Sequence, residues 1–136
     1  MKIRICAFFD FQDFEEDKEY FEKALERFND SHEYAVENVL VTSDVQELRE
    51  KTASCDVCFI DFGGLDCGGM SGLMDSTIRT FEKLIMENEN KIFVFILTMP
   101  VEFYVDEDIL KQPNVMKMEK CDLPEGFQTI FSKLGM

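Results

Sequence analysis

The chain has 136 residues, 46% of them hydrophobic, which fits one ordinary domain with a single core. Its formal net charge is −14, from 28 acidic and 14 basic residues. Because no segment clusters Lys and Arg, we expect no nucleic acid and no anionic membrane as a partner, and we favour cations and basic protein surfaces.

Apolar residues recur along the chain with periods that alternate between those of strands and those of helices. In chain order we predict a strand at 3–9, a helix at 14–28, a strand at 34–41, a short helix from 43, a strand at 57–60, a helix at 73–87, a strand at 91–98, a weak helix at 103–112, a strand at 115–118 and a helix at 124–134. No repeat or linker interrupts the alternation. The whole chain, 1–136, is therefore predicted to be one α/β domain.

Two helices begin with residues that favour capping. Asp13 precedes the first helix, with Glu16 three residues later, and Ser43 precedes the second helix, with Gln46 in the capping-box position. Helical spacing predicts the core-facing side chains: on the first helix Tyr20, Phe21, Ala24, Leu25 and Phe28, on the second Val45 and Leu48, and on the third Met74, Ile78, Phe81 and Ile85.

Five strands that alternate with five helices predict an open parallel sheet with helices on both faces, a three-layer αβα sandwich. The continuous apolar run of the fourth strand suits a strand that is covered on both faces. The commonest strand order at this length is 2-1-3-4-5, which places the topological switch between strands 1 and 3. Ligands bind such sheets at the carboxyl ends of the strands beside the switch.

Acidic side chains stand at these carboxyl ends. Asp10 ends strand 1 and Asp61 ends strand 3, so we expect the two carboxylates to face each other, with Asp13 nearby. Thr98, at the end of strand 4, and Lys120, after strand 5, are expected to approach Asp61 from the other side. Clustered carboxylates suit Mg²⁺, and a metal beside a carboxylate, a hydroxyl and an ammonium group suits phosphoryl transfer to that carboxylate.

Several other kinds of site are excluded by the same residues. The loop after strand 1 offers the carboxylates of Asp10 and Asp13, whereas a flavin or dinucleotide phosphate needs glycines and hydrogen-bond donors there. Neither G-x-G-x-x-G after strand 1 nor G-x-x-x-x-G-K-[ST] occurs. The single histidine, His32, cannot form a His-rich metal site, and it makes no obvious Ser-His-Asp triad.

A glycine-rich loop follows Asp61 and leads into the third helix through Gly69-Met70-Ser71-Gly72-Leu73. This entry resembles the G-M-[DS]-G-L segment of the receiver domain of bacterial response regulators. Thr98 matches the strand-4 Thr or Ser of that family, and Lys120 followed by Cys121-Asp122-Leu123-Pro124-Glu125 is similar to its Lys-Pro-Phe-x-x-x-Glu ending. The resemblance spans nearly the whole chain in the same element order.

The resemblance implies a flavodoxin-like fold, with Asp61 as the phosphoacceptor and Mg²⁺ as the cofactor. The implied metal ligands are Asp10, Asp13 and Asp61, and the implied contacts of the phosphoryl oxygens are Thr98 and Lys120. A kinase or an effector protein is the implied partner. The chain departs from the family pattern at several positions: Asp10 and Asp13 are not adjacent, Cys121 replaces a proline, Met99 stands where a small residue is usual, and Lys117 stands where the switch aromatic is expected.

The cysteines and the start of the chain point to a cytoplasmic protein. Five cysteines is an odd number, no apolar leader follows Met1, and no segment approaches the ~20 apolar residues of a membrane span. Cys55 and Cys58 have C-x-x-C spacing, but residues i and i+3 of a strand face opposite sides, so their sulfurs are not expected to meet. Cys67, in the glycine-rich loop, is expected to be the most exposed thiol.

Three functions stay open from the sequence. The first is a stand-alone receiver-like signalling module that is phosphorylated on Asp61 with Mg²⁺ and acts through a protein partner. The second is a pseudo-receiver, with the same fold, that binds a partner without phosphorylation. The third is a small Mg²⁺-dependent hydrolase or nucleoside-processing transferase that uses the crevice between Asp10 and Asp61, although no general base or phosphate-binding donor set stands out.

Overall fold

The computed structural model describes residues 2–9, 14–31, 35–61, 71–97, 105–119 and 125–133. Its elements are β1 (Lys2–Phe9), α1 (Phe14–Ser31), β2 (Ala35–Thr42), α2 (Val45–Thr52), β3 (Val57–Asp61), α3 (Ser71–Glu87), β4 (Ile92–Leu97), α4 (Glu107–Leu110), β5 (Val115–Glu119) and α5 (Glu125–Ser132). The predicted alternation of strand and helix is confirmed. The largest differences are that α1 continues to Ser31 and that α4 is a single turn.

The five strands form one parallel sheet in the order β2-β1-β3-β4-β5, which confirms the predicted topology and the three-layer, flavodoxin-like fold. β3 is the central strand, and all five of its residues are buried. The register of β1 against β3 pairs Cys6 with Cys58 and Phe9 with Asp61. The last residues of these two strands therefore meet at the same edge of the sheet.

The two faces of the sheet carry two different cores. The aromatic face packs the sheet against α1 and α5 and contains six buried rings: Phe9, Phe21, Phe28, Phe59, Phe127 and Phe131. The thiol face packs the sheet against α2, α3 and α4 and contains three buried cysteines, Cys6, Cys55 and Cys58, with residues such as Leu48, Ile78, Phe81, Phe93 and Ile109. Alternation along each strand sends successive side chains to opposite faces.

The core-facing residues of α1 are confirmed except for one. Phe21, Ala24, Leu25 and Phe28 are buried on the aromatic face, but the side chain of Tyr20 is 45% exposed. Tyr20 lies at the margin of the apolar stripe, a position that suits a side chain with an apolar ring and a polar hydroxyl.

The predicted cap of α2 is wrong by one residue. The cap is Asp44, whose Oδ1 accepts a hydrogen bond from the Gln46 backbone N–H at 2.9 Å. The backbone N–H of Asp44 in turn donates to the hydroxyl of Thr42 at 2.9 Å, which holds the chain in the capping conformation. Leu48 is fully buried, as predicted, and Val45 packs at the margin of the thiol face.

One buried carboxylate joins α3 to α4. The side chain of Glu82, on α3, accepts a hydrogen bond from the backbone N–H of Asp106 at 2.6 Å and pairs with Arg79. Asp106 then caps α4 by accepting from the backbone N–H of Asp108 at 2.9 Å. These bonds fix a helix of one turn that is too short to be stable by itself.

Candidate functional site

The candidate site is built around Asp61, the last residue of the central strand β3. Its side chain is only 1% exposed, and its register partner, Phe9, is the last residue of β1. The strand order places this pair at the topological switch, at the carboxyl ends of the strands. Asp61 shares its side of the sheet, by alternation, with Val57 and Phe59 of the aromatic face.

The other predicted site residues, Asp10, Asp13, Thr98 and Lys120, lie outside the described residues. Three of them directly follow the ends of strands: Asp10 follows Phe9 of β1, Thr98 follows Leu97 of β4, and Lys120 follows Glu119 of β5. In the parallel sheet these three strands end at the same edge as β3. The distances between Asp61 and its predicted companions stay untested, as do the roles of Met99, Cys67 and the loop from Gly63 to Met70.

The metal site is likewise a prediction, because two of its three ligands, Asp10 and Asp13, are not among the described residues. Within the described ranges, no group of three His, Cys, Asp or Glu side chains lies close enough together to hold a metal ion. A carboxylate at the end of β3 fits a hard cation by its chemistry, since Mg²⁺ takes oxygen ligands. Asp61 is the described residue that could contribute such a ligand at this edge.

Two further charged features lie on α1 and on β5. The start of α1 is acidic, with Glu15, Glu16 and Asp17 in its first turn, and an open groove on this helix is lined by Glu15, Glu16, Lys18, Glu19 and Glu22. Lys117 of β5 is exposed and pairs in register with Phe95. By alternation Lys117 shares the thiol face with Phe95, whereas Asp61 and α1 lie on the aromatic face.

The third helix begins earlier than predicted. α3 starts at Ser71 rather than near Leu73, so the final residues of the segment Gly69-Met70-Ser71-Gly72-Leu73 are helical. The connection from Asp61 to α3 therefore runs from Phe62 to Met70. A helix that starts at Ser71 agrees with the general preference for serine near helix starts.

The sequence interpretation missed the meeting of three cysteines. Cys55 lies before the start of β3, so the alternation rule for strands does not apply to it, and it packs on the thiol face together with Cys6 and Cys58. The prediction that Cys55 and Cys58 face opposite sides is therefore wrong. The available signal was the predicted strand start at Val57, which already placed Cys55 outside the strand, after the turn-like Ala53-Ser54.

The environment of Cys6 and Cys55 keeps both thiols protonated. A hydrogen bond with Cys55 lowers the pKa of Cys6, but the hydrogen bond with Cys58 and burial raise it, and the net pKa lies far above that of an ordinary thiol. The hydrogen bond with Cys6, followed by burial, raises the pKa of Cys55. Both thiols are therefore neutral at physiological pH.

No family model matches the chain, and no curated protein matches it. Among solved structures it is similar to a fragment of a putative lipoprotein from Peptoclostridium difficile 630, with a TM-score of 0.58 and 11% identity over 97% of this chain and 98% of that one. It is also similar to homoserine dehydrogenase from S. aureus, with a TM-score of 0.50 and 14% identity. That match covers 88% of this chain and 32% of the enzyme, so the chain spans about a third of the enzyme's length.

At these identities the likenesses show the fold alone. They agree with a layered α/β sheet and give no information about ligands or chemistry. Within the described residues, no helix is both long enough and apolar enough to cross a membrane.

Proposed function

We propose that the chain is a receiver-like signalling module that accepts a phosphoryl group on Asp61 and acts through a protein partner. The observation that supports this proposal is the position of Asp61, a carboxylate at the end of β3 beside the end of β1, in a sheet of order 2-1-3-4-5. The partner is a kinase or an effector protein, and the proposed location is the cytoplasm.

The chemistry requires one nucleophilic oxygen and several positive groups. A carboxylate oxygen of Asp61 attacks phosphorus, the bond from phosphorus to the donor's leaving oxygen breaks, and an acyl phosphate forms on the side chain. Asp10, Asp13 and Asp61 would hold Mg²⁺, which when bound would offset the charge of the phosphoryl oxygens. In the same proposal the hydroxyl of Thr98 and the ammonium group of Lys120 bind two of those oxygens.

A second candidate is a pseudo-receiver that binds its partner without phosphorylation. The observation that favours it is the 1% exposure of Asp61, since a phosphodonor needs access to the carboxylate. The exposed Lys117 also supports this reading, because it replaces the aromatic side chain with which the receiver family reports phosphorylation. In this candidate Asp61 is a structural residue, and Mg²⁺ has no role.

The two candidates are separated by the reaction with a small acyl phosphate. The chain is incubated with the donor, with and without Mg²⁺, and its intact mass is measured. Asp61→Asn removes the nucleophile. Asp56→Asn is the matched control, because Asp56 lies just before β3 at the opposite end of the strand and its carboxylate accepts from the Arg4 backbone N–H at 2.9 Å, a bond that an asparagine oxygen can keep.

We expect one phosphoryl group per chain, dependent on Mg²⁺, present in Asp56→Asn and absent from Asp61→Asn. Circular dichroism of both variants shows that they are folded. If the folded wild-type chain gains no mass, the result contradicts the phosphoacceptor proposal and favours the pseudo-receiver. An unfolding midpoint that Mg²⁺ does not shift has the same meaning. An adduct that persists in Asp61→Asn places the reaction on another residue and also contradicts the proposal.

A further inference from the structure

Three of the chain's five cysteines meet inside the thiol face, away from the candidate site. Cys6 lies in β1, Cys58 lies in β3, and Cys55 precedes β3. The three side chains are 0%, 1% and 2% exposed for Cys6, Cys58 and Cys55, and all three are free thiols. The Sγ of Cys6 lies 4.0 Å from the backbone carbonyl oxygen of Val57, the residue before Cys58.

The backbone geometry favours one pair within this cluster. Cys6 and Cys58 are register partners on adjacent parallel strands, and their side chains point to the same face. Neighbouring strands lie about 4.8 Å apart. Disulfide-bonded cysteines have Cα atoms roughly 4.4–6.8 Å apart. Because the two cysteines are already register partners, a bridge requires no slip of either strand.

We propose that Cys6 and Cys58 are a modification site at which a peroxide converts two buried thiols into a reversible disulfide across β1 and β3. One thiolate attacks a peroxide oxygen, the O–O bond breaks, and a sulfenic acid and hydroxide form. The second sulfur attacks the sulfenic sulfur and displaces its oxygen as water. In sum, two thiols and one hydrogen peroxide give one disulfide and two waters.

Cys55 is the alternative partner of Cys6, and the register disfavours it. Cys55 lies three residues before Cys58, outside the β1–β3 ladder that aligns Cys6 with Cys58. Its peptide N–H is bonded to the carbonyl of Thr52 at 3.1 Å, which holds the backbone in the turn after α2. A bridge from Cys6 to Cys55 would therefore need the turn to move, whereas a bridge to Cys58 leaves both strands in place.

Burial of the two thiols is expected to make disulfide formation slow. The thiolate is the reactive form, and the raised pKa of Cys6 leaves little of it at neutral pH. The oxidant also needs a local opening of the core to reach the sulfurs. We therefore expect slow formation of the bridge at pH 7 and faster formation at higher pH. A covalent bond here would tie β1 to β3 three register pairs before Phe9 and Asp61.

The test uses the full chain under native conditions. The reduced protein is exposed to hydrogen peroxide at pH 7 and pH 8.5, denatured, alkylated with N-ethylmaleimide and mapped by mass spectrometry. We expect the loss of two hydrogens per chain, a cross-linked peptide that contains Cys6 and Cys58, a higher yield at pH 8.5, and full return of the two thiols with dithiothreitol.

The peptide map of the wild-type chain identifies the bridged cysteines by itself, and cysteine variants provide an independent check. Cys6→Ala is expected to lose the bridge, while Cys55→Ala and the double variant of Cys67 and Cys121 to serine keep it. Five alkylated thiols after a peroxide treatment that oxidises glutathione would overturn the proposal. So would a bridge that maps to Cys55, Cys67 or Cys121. None of these results depends on phosphorylation of Asp61, so the two proposals fail separately.

Discussion

The two faces of one sheet are stabilised in different ways. On the aromatic face, the rings from β1, β3, α1 and α5 contact one another with centroids 5.1–5.8 Å apart, mostly edge to face. On the thiol face, cysteines, aliphatic side chains and four phenylalanines lie under α2, α3 and α4, and the rings of Phe8 and Phe81 are in contact there with centroids 5.0 Å apart. Polar side chains fix two helix starts on this face: Asp44 at α2, and Glu82 and Asp106 at α4.

This difference follows from the lengths and ends of the helices. α1 has 18 residues and presents four buried side chains to the sheet, so it depends mainly on apolar packing, to which Asn29 adds two hydrogen bonds with the backbone of Val36 at 3.1 and 3.2 Å. α2 and α4 have 8 and 4 residues and bury few side chains, so each depends more on bonds at its ends. Ring contacts should therefore dominate the stability of one face, and polar contacts at helix ends should contribute visibly to the other.

The largest effect on unfolding free energy is expected from truncation of the Phe127 ring, which tests the contribution of the aromatic face. Phe127 contacts four rings, those of Phe21, Phe28, Phe59 and Phe131, at 5.8, 5.7, 5.6 and 5.5 Å. Truncation to alanine removes these contacts and leaves a cavity, so Phe127→Ala should cost about 4 kcal/mol of unfolding free energy. Urea denaturation measures this cost.

Phe93 provides the matched control on the thiol face. It is also fully buried, but within the described residues it makes no ring contact. Substitution by leucine preserves most of the apolar volume at both positions. Phe127→Leu should therefore cost more than Phe93→Leu by about 2 kcal/mol, the value of a few aromatic pairs. Equal costs would show that the aromatic contacts add nothing beyond burial, and the distinction between the faces would be lost.

The next effect is expected from Glu82, the buried carboxylate of the thiol face. Glu82→Ala removes the acceptor of the Asp106 N–H and the partner of Arg79, and should cost about 2 kcal/mol because a hydrogen bond to a charged acceptor is lost. Glu82→Gln retains an acceptor oxygen and should cost less. Urea denaturation of both variants gives these values.

The control for Glu82 is Glu107, an acid on the neighbouring helix α4 whose side chain is 78% exposed and pairs with Lys111. Glu107→Ala should change the unfolding free energy by less than about 0.5 kcal/mol, as is typical of exposed pairs. If Glu82→Ala and Glu107→Ala cost the same, the buried contact between α3 and α4 does not stabilise the thiol face.

The sequence alone predicted the element order and the sheet topology because both rest on long, redundant patterns. Phe21, Ala24, Leu25 and Phe28 repeat at helical spacing, and the fourth strand is apolar throughout, so a single deviation such as Tyr20 does not change the prediction. The position of Asp61 at the end of β3 followed from the same patterns.

Details that depend on one residue at an element boundary were harder to predict. The alternation rule for strands was applied to Cys55, which lies two residues before the predicted and observed start of β3, and this reversed the face expected for Cys55 relative to Cys58. The pairing of Cys6 with Cys58 is a property of the register between β1 and β3, which no local pattern contains. The proposed neighbours of Asp61 are equally hard to predict from local patterns, because these residues, Asp10, Asp13, Thr98 and Lys120, lie near strand ends that are far apart in the chain.

The smallest effect is expected at the start of α2, where the sequence pattern and the structure name different caps. Asp44 accepts the Gln46 N–H, so Asp44→Ala should cost about 1 kcal/mol of unfolding free energy. Ser43 is exposed and precedes the cap, so Ser43→Ala should be close to neutral. Thermal and urea unfolding of the two variants distinguish the caps. If Ser43→Ala lost more unfolding free energy than Asp44→Ala, the result would support the capping box predicted from Ser43 and Gln46. Asp44 would then not be one of the polar contacts that stabilise the thiol face.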